Sequence, residues 1–178
     1  MNKTQIKKTT QAGAYLLSKA NGKMPYLKLL KLLYLADRES LLESEHAMTG
    51  DHYVSMKNGP VLSETYDFIK GQSNQSEYWQ FHIQTNGYTT ILVNDPGINE
   101  LSPYDLGILD NVFSHYGNMN RWDIVELTHE FPEWVNPGPT SKEIPLSKIL
   151  QALGYQNKNL ERVLKNLEYQ TKVDQILG

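Results

Sequence analysis

Residues 129–133 read His129-Glu130-Phe131-Pro132-Glu133, a string close to the helix of a zinc protease. That chemistry needs two histidines four residues apart on one helical face, with the glutamate beside them as general base. Here Glu133 stands at the second histidine's place and Pro132 breaks the helix between them, so the spacing argues against a metal. His46, Asp51 and His52 offer ligand types in a loop region, but no ligand spacing. Ser63 follows Gly59-Pro60-Val61-Leu62 without the glycine-flanked elbow of a serine hydrolase. Its simpler role is to hold backbone N–H groups at a helix start. Asp37 closes a leucine-rich stretch, either as an acid or base in catalysis or as a buried structural carboxylate. The structural reading is favoured, because a buried charge must be paired; Lys57 and the N–H groups of the Asn58-Gly59 turn are the expected partners. The chain has no cysteine, which removes thiolate chemistry, disulfides and Cys-ligated metals. A glycine-rich phosphate loop is also missing from the sequence. The expectation is a protein that is not an enzyme, with no catalytic residue, metal or cofactor.

Those residues have to be placed by helices. Residues 5–20 read as a first helix stopped by Asn21-Gly22, and a second runs from Pro25, as its first residue, to about 45. The second carries so many leucines that little polar face is left, so it is expected to be central and buried nearly all round. Tyr26, Leu30, Leu33 and Asp37 share one of its faces. Asn58-Gly59-Pro60 breaks the chain before a helix ending at Lys70-Gly71. Trp79, Phe81 and Ile83 alternate with Gln80, His82 and Gln84, a half-buried strand pattern. With Asn86-Gly87 as a type I′ turn and Tyr88 to Val93 returning, a single β-hairpin is expected over about 78–93. Ser102-Pro103-Tyr104-Asp105 starts a further helix, with Asp105 in the place of the capping-box glutamate. A shorter helix spans about 121–130, a linker about 135–141, and two final helices about 146–153 and 158–170. The fold class is mainly α (α+β), one domain over 1–178 with a single hairpin.

The 178 residues are 39% hydrophobic and 21% charged, a globular composition. A mean hydropathy of -0.52 and a longest apolar run of Leu32 to Ala36 argue against a membrane span. No stretch reads as a secretory signal, so a cytoplasmic address is expected. The net charge of -3 conceals segregation. Residues 1–36 hold lysines and no acid, whereas residues 37–134 are strongly acidic. An acidic middle would attract a basic protein; the simpler reading is a solvated surface partly neutralised by the lysine-rich first helix.

The string LKLLKLLYLADRESL over 27–41, followed by TGDHYVSMKNGPVLSETYDFI over 49–69, resembles the Panacea domain, also called the SocA-like antitoxin domain, of phage-associated GepA-like proteins. The matching pieces are Lys31 to Asp37, then Lys57-Asn58-Gly59-Pro60-Val61, then Tyr66. A second block, Leu127-Thr128-His129-Glu130 with Pro132-Glu133-Trp134, resembles that family's Thr-His and Glu-Trp region. The resemblance covers about 10–140. It implies an antitoxin of a bacterial or phage toxin–antitoxin system, in a family that neutralises many unrelated toxins by direct contact. It implies no catalytic residue. One branch is linked to delivery of the toxin to a protease.

Partner contacts are sought among the tyrosines, which combine contact area with a polar handle. Tyr26, Tyr34 and Tyr66 fall in helical patterns and are expected in the core. Tyr78, Tyr88, Tyr104 and Tyr155 are the candidates for contact with a toxin, expected to be encoded by the adjacent gene. Two other roles stay open: an adaptor handing its partner to a protease, and a DNA-binding regulator using Lys158, Arg162 and Lys165 on the last helix pair.

Overall fold

The computed structural model describes the backbone of residues 1–177 and side chains through residue 173, so the last residue of the unit expected over 1–178 lies outside it. The chain runs α1 (Lys3–Lys19), β1 (Lys23–Pro25), α2 (Tyr26–Ser44), β2 (Tyr53–Met56), β3 (Gly59–Leu62), α3 (Ser63–Lys70), α4 (Glu77–His82), β4 (Ile83–Asn86) and β5 (Thr89–Leu92). It continues with α5 (Pro103–Tyr116), α6 (Arg121–His129), β6 (Lys142–Glu143), α7 (Leu146–Ala152) and α8 (Asn157–Leu177). The class is mainly helical α+β, with two small antiparallel sheets, ordered β1-β5-β4 and β3-β2-β6.

The leucine-rich helix α2 is the axis of the core, packed by α1, α5, α6, α7 and strand β3. Leu29 to Ala36 are all buried, as a helix without a polar face requires. Each of those leucines contributes roughly 1.5–3 kcal/mol by leaving water. Pro25 is the cap of α2 and not its first residue. Lacking a side-chain cap, the helix start is tied instead by the Tyr26 N–H, which donates to the Tyr88 carbonyl at 2.9 Å. At its other end the Tyr155 hydroxyl donates to the carbonyls of Leu41 and Leu42, at 3.1 and 3.2 Å. The Ser102/Asp105 capping box of α5 forms as its spacing indicates.

The hairpin is shorter than the alternation suggests. Residues 77–82 are helical, because Trp79, His82 and Ile83 are the buried positions and their 3–4 spacing belongs to a helix, while Phe81 is exposed. The loop is also shifted by one residue: Asn86 pairs with Thr89, leaving Gly87-Tyr88 as the connection. Gly87 sits at φ 59° and Asn86 does not have positive φ, so glycine fills the first position of a II′-like loop and not the second of a type I′ turn. The single-hairpin expectation also missed the second sheet. Asn58-Gly59-Pro60 is the loop and first half of a β2–β3 hairpin, with Ser55 opposite Pro60. Pro60 fits there because β3 is an edge strand. The stretch expected as a linker leads into β6, which pairs with β2.

Candidate functional site

Helix α2 sets Lys31, Tyr34, Asp37 and Arg38 along one side, three to four residues apart, and each meets a different segment. Lys31 is completely buried, and its amine donates to the Pro60 carbonyl at 2.6 Å. No carboxylate lies within ion-pair distance of it among the described residues. Burial therefore pushes the amine down to about 6, and it is neutral at pH 7. Gly59 faces the same point at φ 94°, a conformation glycine adopts without strain. A methyl group there would overlap both the Lys31 nitrogen and the Thr128 hydroxyl. Glycine is thus required at position 59 twice over, by backbone angle and by space.

Helix α6 brings Thr128 and His129 onto that strand. The His129 ring stacks on Trp134, centroids 4.0 Å apart and planes 15° from parallel, and the Trp134 indole N–H donates to the Met56 carbonyl at 3.0 Å. Burial and the neighbouring Lys31 hold the imidazole below its ordinary value, and its Nε2 is buried without a hydrogen-bond partner among the described residues. Glu133 does not face His129 as a metal ligand would. Its Oε1 accepts from the Tyr34 hydroxyl at 2.9 Å and from the Arg38 Nε at 2.8 Å. Phe131 covers this pair, with the Arg38 guanidinium 4.1 Å from its ring centre. Burial and the Glu133 carboxylate push the Tyr34 hydroxyl above its ordinary value.

Asp37 is fully buried, but its partners are not those expected from the sequence. The Thr49 N–H and hydroxyl donate to it at 2.8 and 2.6 Å, and the Tyr53 hydroxyl at 3.0 Å. Lys57 and Asn58 are exposed at the hairpin tip and take no part. Burial pushes Asp37 up to about 6 against those three donors. Asp51, weighed above as a metal ligand, caps α3 from outside. It accepts from the N–H groups of Glu64 and Thr65 at 2.9 and 2.8 Å, and from the Thr65 hydroxyl at 2.7 Å. Ser63 is only the first helical residue there.

The two sequence blocks therefore meet around α2, and they do so as one buried polar seam joining α2, the β2–β3 hairpin and residues 128–134. Tyr66 stays outside it, beside Lys70. Reasoning from residues overlooked Lys31, Arg38, Thr49 and Tyr53. For Lys31 a signal existed: a lysine inside LKLLKLLYLA has no polar face to escape to. Thr49 and Tyr53 carried none, because a loop decides where they fall. Lys31 and Asp37 have no accessible surface, so a solute reaches neither without the fold opening. No cluster of three or more His, Asp or Glu side chains able to hold a metal exists among the described residues.

The four tyrosines proposed as contacts separate into two kinds. Tyr155 is spent on capping α2, and Tyr78 is half-buried against His82. Tyr88 and Tyr104 are exposed. On the last helices, Arg162 is held bidentately by Glu45 at 2.8 and 2.6 Å, and Lys158 and Lys165 are exposed. No helix among the described residues is long and apolar enough to cross a membrane.

A family model described as antitoxin SocA-like, Panacea domain, matches residues 29–135, the span that holds every residue of the seam. No curated protein and no solved structure matches the chain.

Proposed function

The chain belongs to the antitoxin SocA-like, Panacea domain family, and from that membership we propose that it is a cytoplasmic antitoxin which neutralises a toxin protein by binding it directly. The observation that carries this reading is the burial of the family-matching residues. Lys31, Asp37, Gly59 and Glu133 are used to hold three segments together, which leaves recognition to the surface they support. A stoichiometric binder needs such a rigid frame, since ordering a loose surface on binding would cost affinity. The same burial supports a role without catalysis. The partner is read as the product of an adjacent gene.

The test is induction of the neighbouring reading frame in a host cell, with and without this chain, followed by affinity purification from the rescued cells. Rescue with a stable complex of the two proteins is the expected outcome. Rescue with protease-dependent disappearance of the neighbour would replace neutralisation with an adaptor role. Absence of rescue would refute the antitoxin reading for that pair.

A further inference from the structure

A strip of alternating aromatic rings and cations crosses the surface where four elements meet. Lys70 of α3 lies between Tyr66 and Tyr26, its amine 5.6 and 3.8 Å from the two ring centres. Tyr26, at the start of α2, stacks on Tyr88 of the β4–β5 loop, centroids 6.3 Å apart. Arg121, the first residue of α6, lies 5.7 Å from the Tyr88 ring and 5.0 Å from that of Trp122. Tyr88 is 71% exposed and Trp122 50%, and with Tyr26 and Tyr66 they form a contiguous patch and not singly scattered rings. Neither Lys70 nor Arg121 has a carboxylate within 4.0 Å among the described residues.

Tyrosine, tryptophan and arginine are the residue types that dominate binding energy at protein interfaces. A guanidinium lying against rings uses its faces and leaves its N–H edge free, and that edge matches a carboxylate. The backbone beneath is stiff: the Tyr88 carbonyl is bonded to α2, and the inner end of α6 is locked into the seam by Thr128 and His129. A nucleic-acid strand would need a track of cations along its phosphates, whereas this strip has two in a chain of net charge -3.

We propose that this strip, Tyr66-Lys70-Tyr26-Tyr88-Arg121-Trp122, is the docking face for a segment of the partner protein that presents a carboxylate beside a flat or apolar side chain. The inference rests on the antitoxin reading and adds to it where the toxin is held. Tyr88, picked out above from the sequence, belongs to this face; Tyr104 does not.

The experiment uses the full chain and the purified product of the neighbouring reading frame, with binding measured for wild type, Trp122→Ala, Arg121→Glu and, as an exposed aromatic elsewhere, Tyr104→Ala. Thermal melting of each free variant separates lost contacts from lost folding. The strip predicts at least about 30-fold weaker binding for Trp122→Ala and Arg121→Glu, with melting and the Tyr104→Ala affinity near wild type. Wild-type affinity in both strip variants would overturn the docking face and leave the antitoxin reading standing. Failure of the wild-type chain itself to bind or rescue would remove that reading and this inference with it. Two results would reassign the occupant and overturn the proposal. One is binding of a single-stranded oligonucleotide of about 20 nucleotides that the strip variants lose. The other is a dimer of this chain that they dissociate in sedimentation.

Discussion

At the scale of single residues, the seam contains groups whose charge states are set by burial, and this makes stability depend on pH in a defined direction. Lys31 titrates at about 6 in the folded chain against 10.5 when free. Between those values the unfolded chain binds a proton that the folded chain lacks, so stability rises with pH across that window. Asp37 is raised from 3.8 to about 6, so the folded chain holds the extra proton there, and stability falls as pH climbs through that lower window. His129, lowered from 6.5, acts in the same sense as the lysine. Denaturant midpoints should therefore be lowest near pH 6 and rise toward pH 9. Lys31→Met should remove most of the rise above pH 6, and a flat wild-type profile from pH 6 to 9 would contradict the neutral buried amine. The sequence disclosed Asp37 as a buried carboxylate because it ends a leucine face. It did not disclose the partners, since Thr49 and Tyr53 reach Asp37 only through the path of the intervening loop.

Elements are held here by residues outside themselves. Helix α3 has no side-chain cap of its own, and Asp51 supplies one from the loop ahead of β2. Asp51→Ala should cost about 1–2 kcal/mol, read as a lower denaturant midpoint, with loss of amide-exchange protection concentrated at Glu64 and Thr65. An unchanged midpoint would show that water replaces the carboxylate. The helices were legible because leucine spacing and caps are local properties, as with the Ser102/Asp105 box. Strands were not. Residues 77–82 alternate like a strand, yet Trp79 and Ile83 pack as a helix face because α1 offers a surface there, Gly13 lying close under the Trp79 ring. β1 and β6 are two or three residues long, and only the distant strand each one pairs with makes it a strand.

Over the whole molecule, part of the acidity of residues 37–134 is used internally. Asp105 pairs with Lys8 at 3.0 Å, Asp110 with Lys19 at 2.6 Å and Glu133 with Arg38, while Asp37 and Asp51 are buried acceptors. Two lysines of α1, Lys8 and Lys19, thus neutralise two acids of α5, while Glu77, Asp95, Asp123, Glu126 and Glu130 stay exposed. The proposed docking face carries the cations Lys70 and Arg121, so long-range steering of a basic partner onto it should be weak. Stopped-flow association rates with the neighbouring gene product should change less than about threefold between about 50 and about 500 mM salt. A steep decline would show that the remaining free acids, Glu39 and Glu43 among them, guide the encounter. The seam also has a consequence in time. Tyr34 and Glu133 stand 99 positions apart, so a chain leaving the ribosome cannot close the seam until Glu133 has been made. Until then the Tyr34 and Arg38 side of α2 lacks its Glu133 partner. A product ending before Glu133 should leave that side of α2 open and be cleaved faster than the full chain in limited proteolysis.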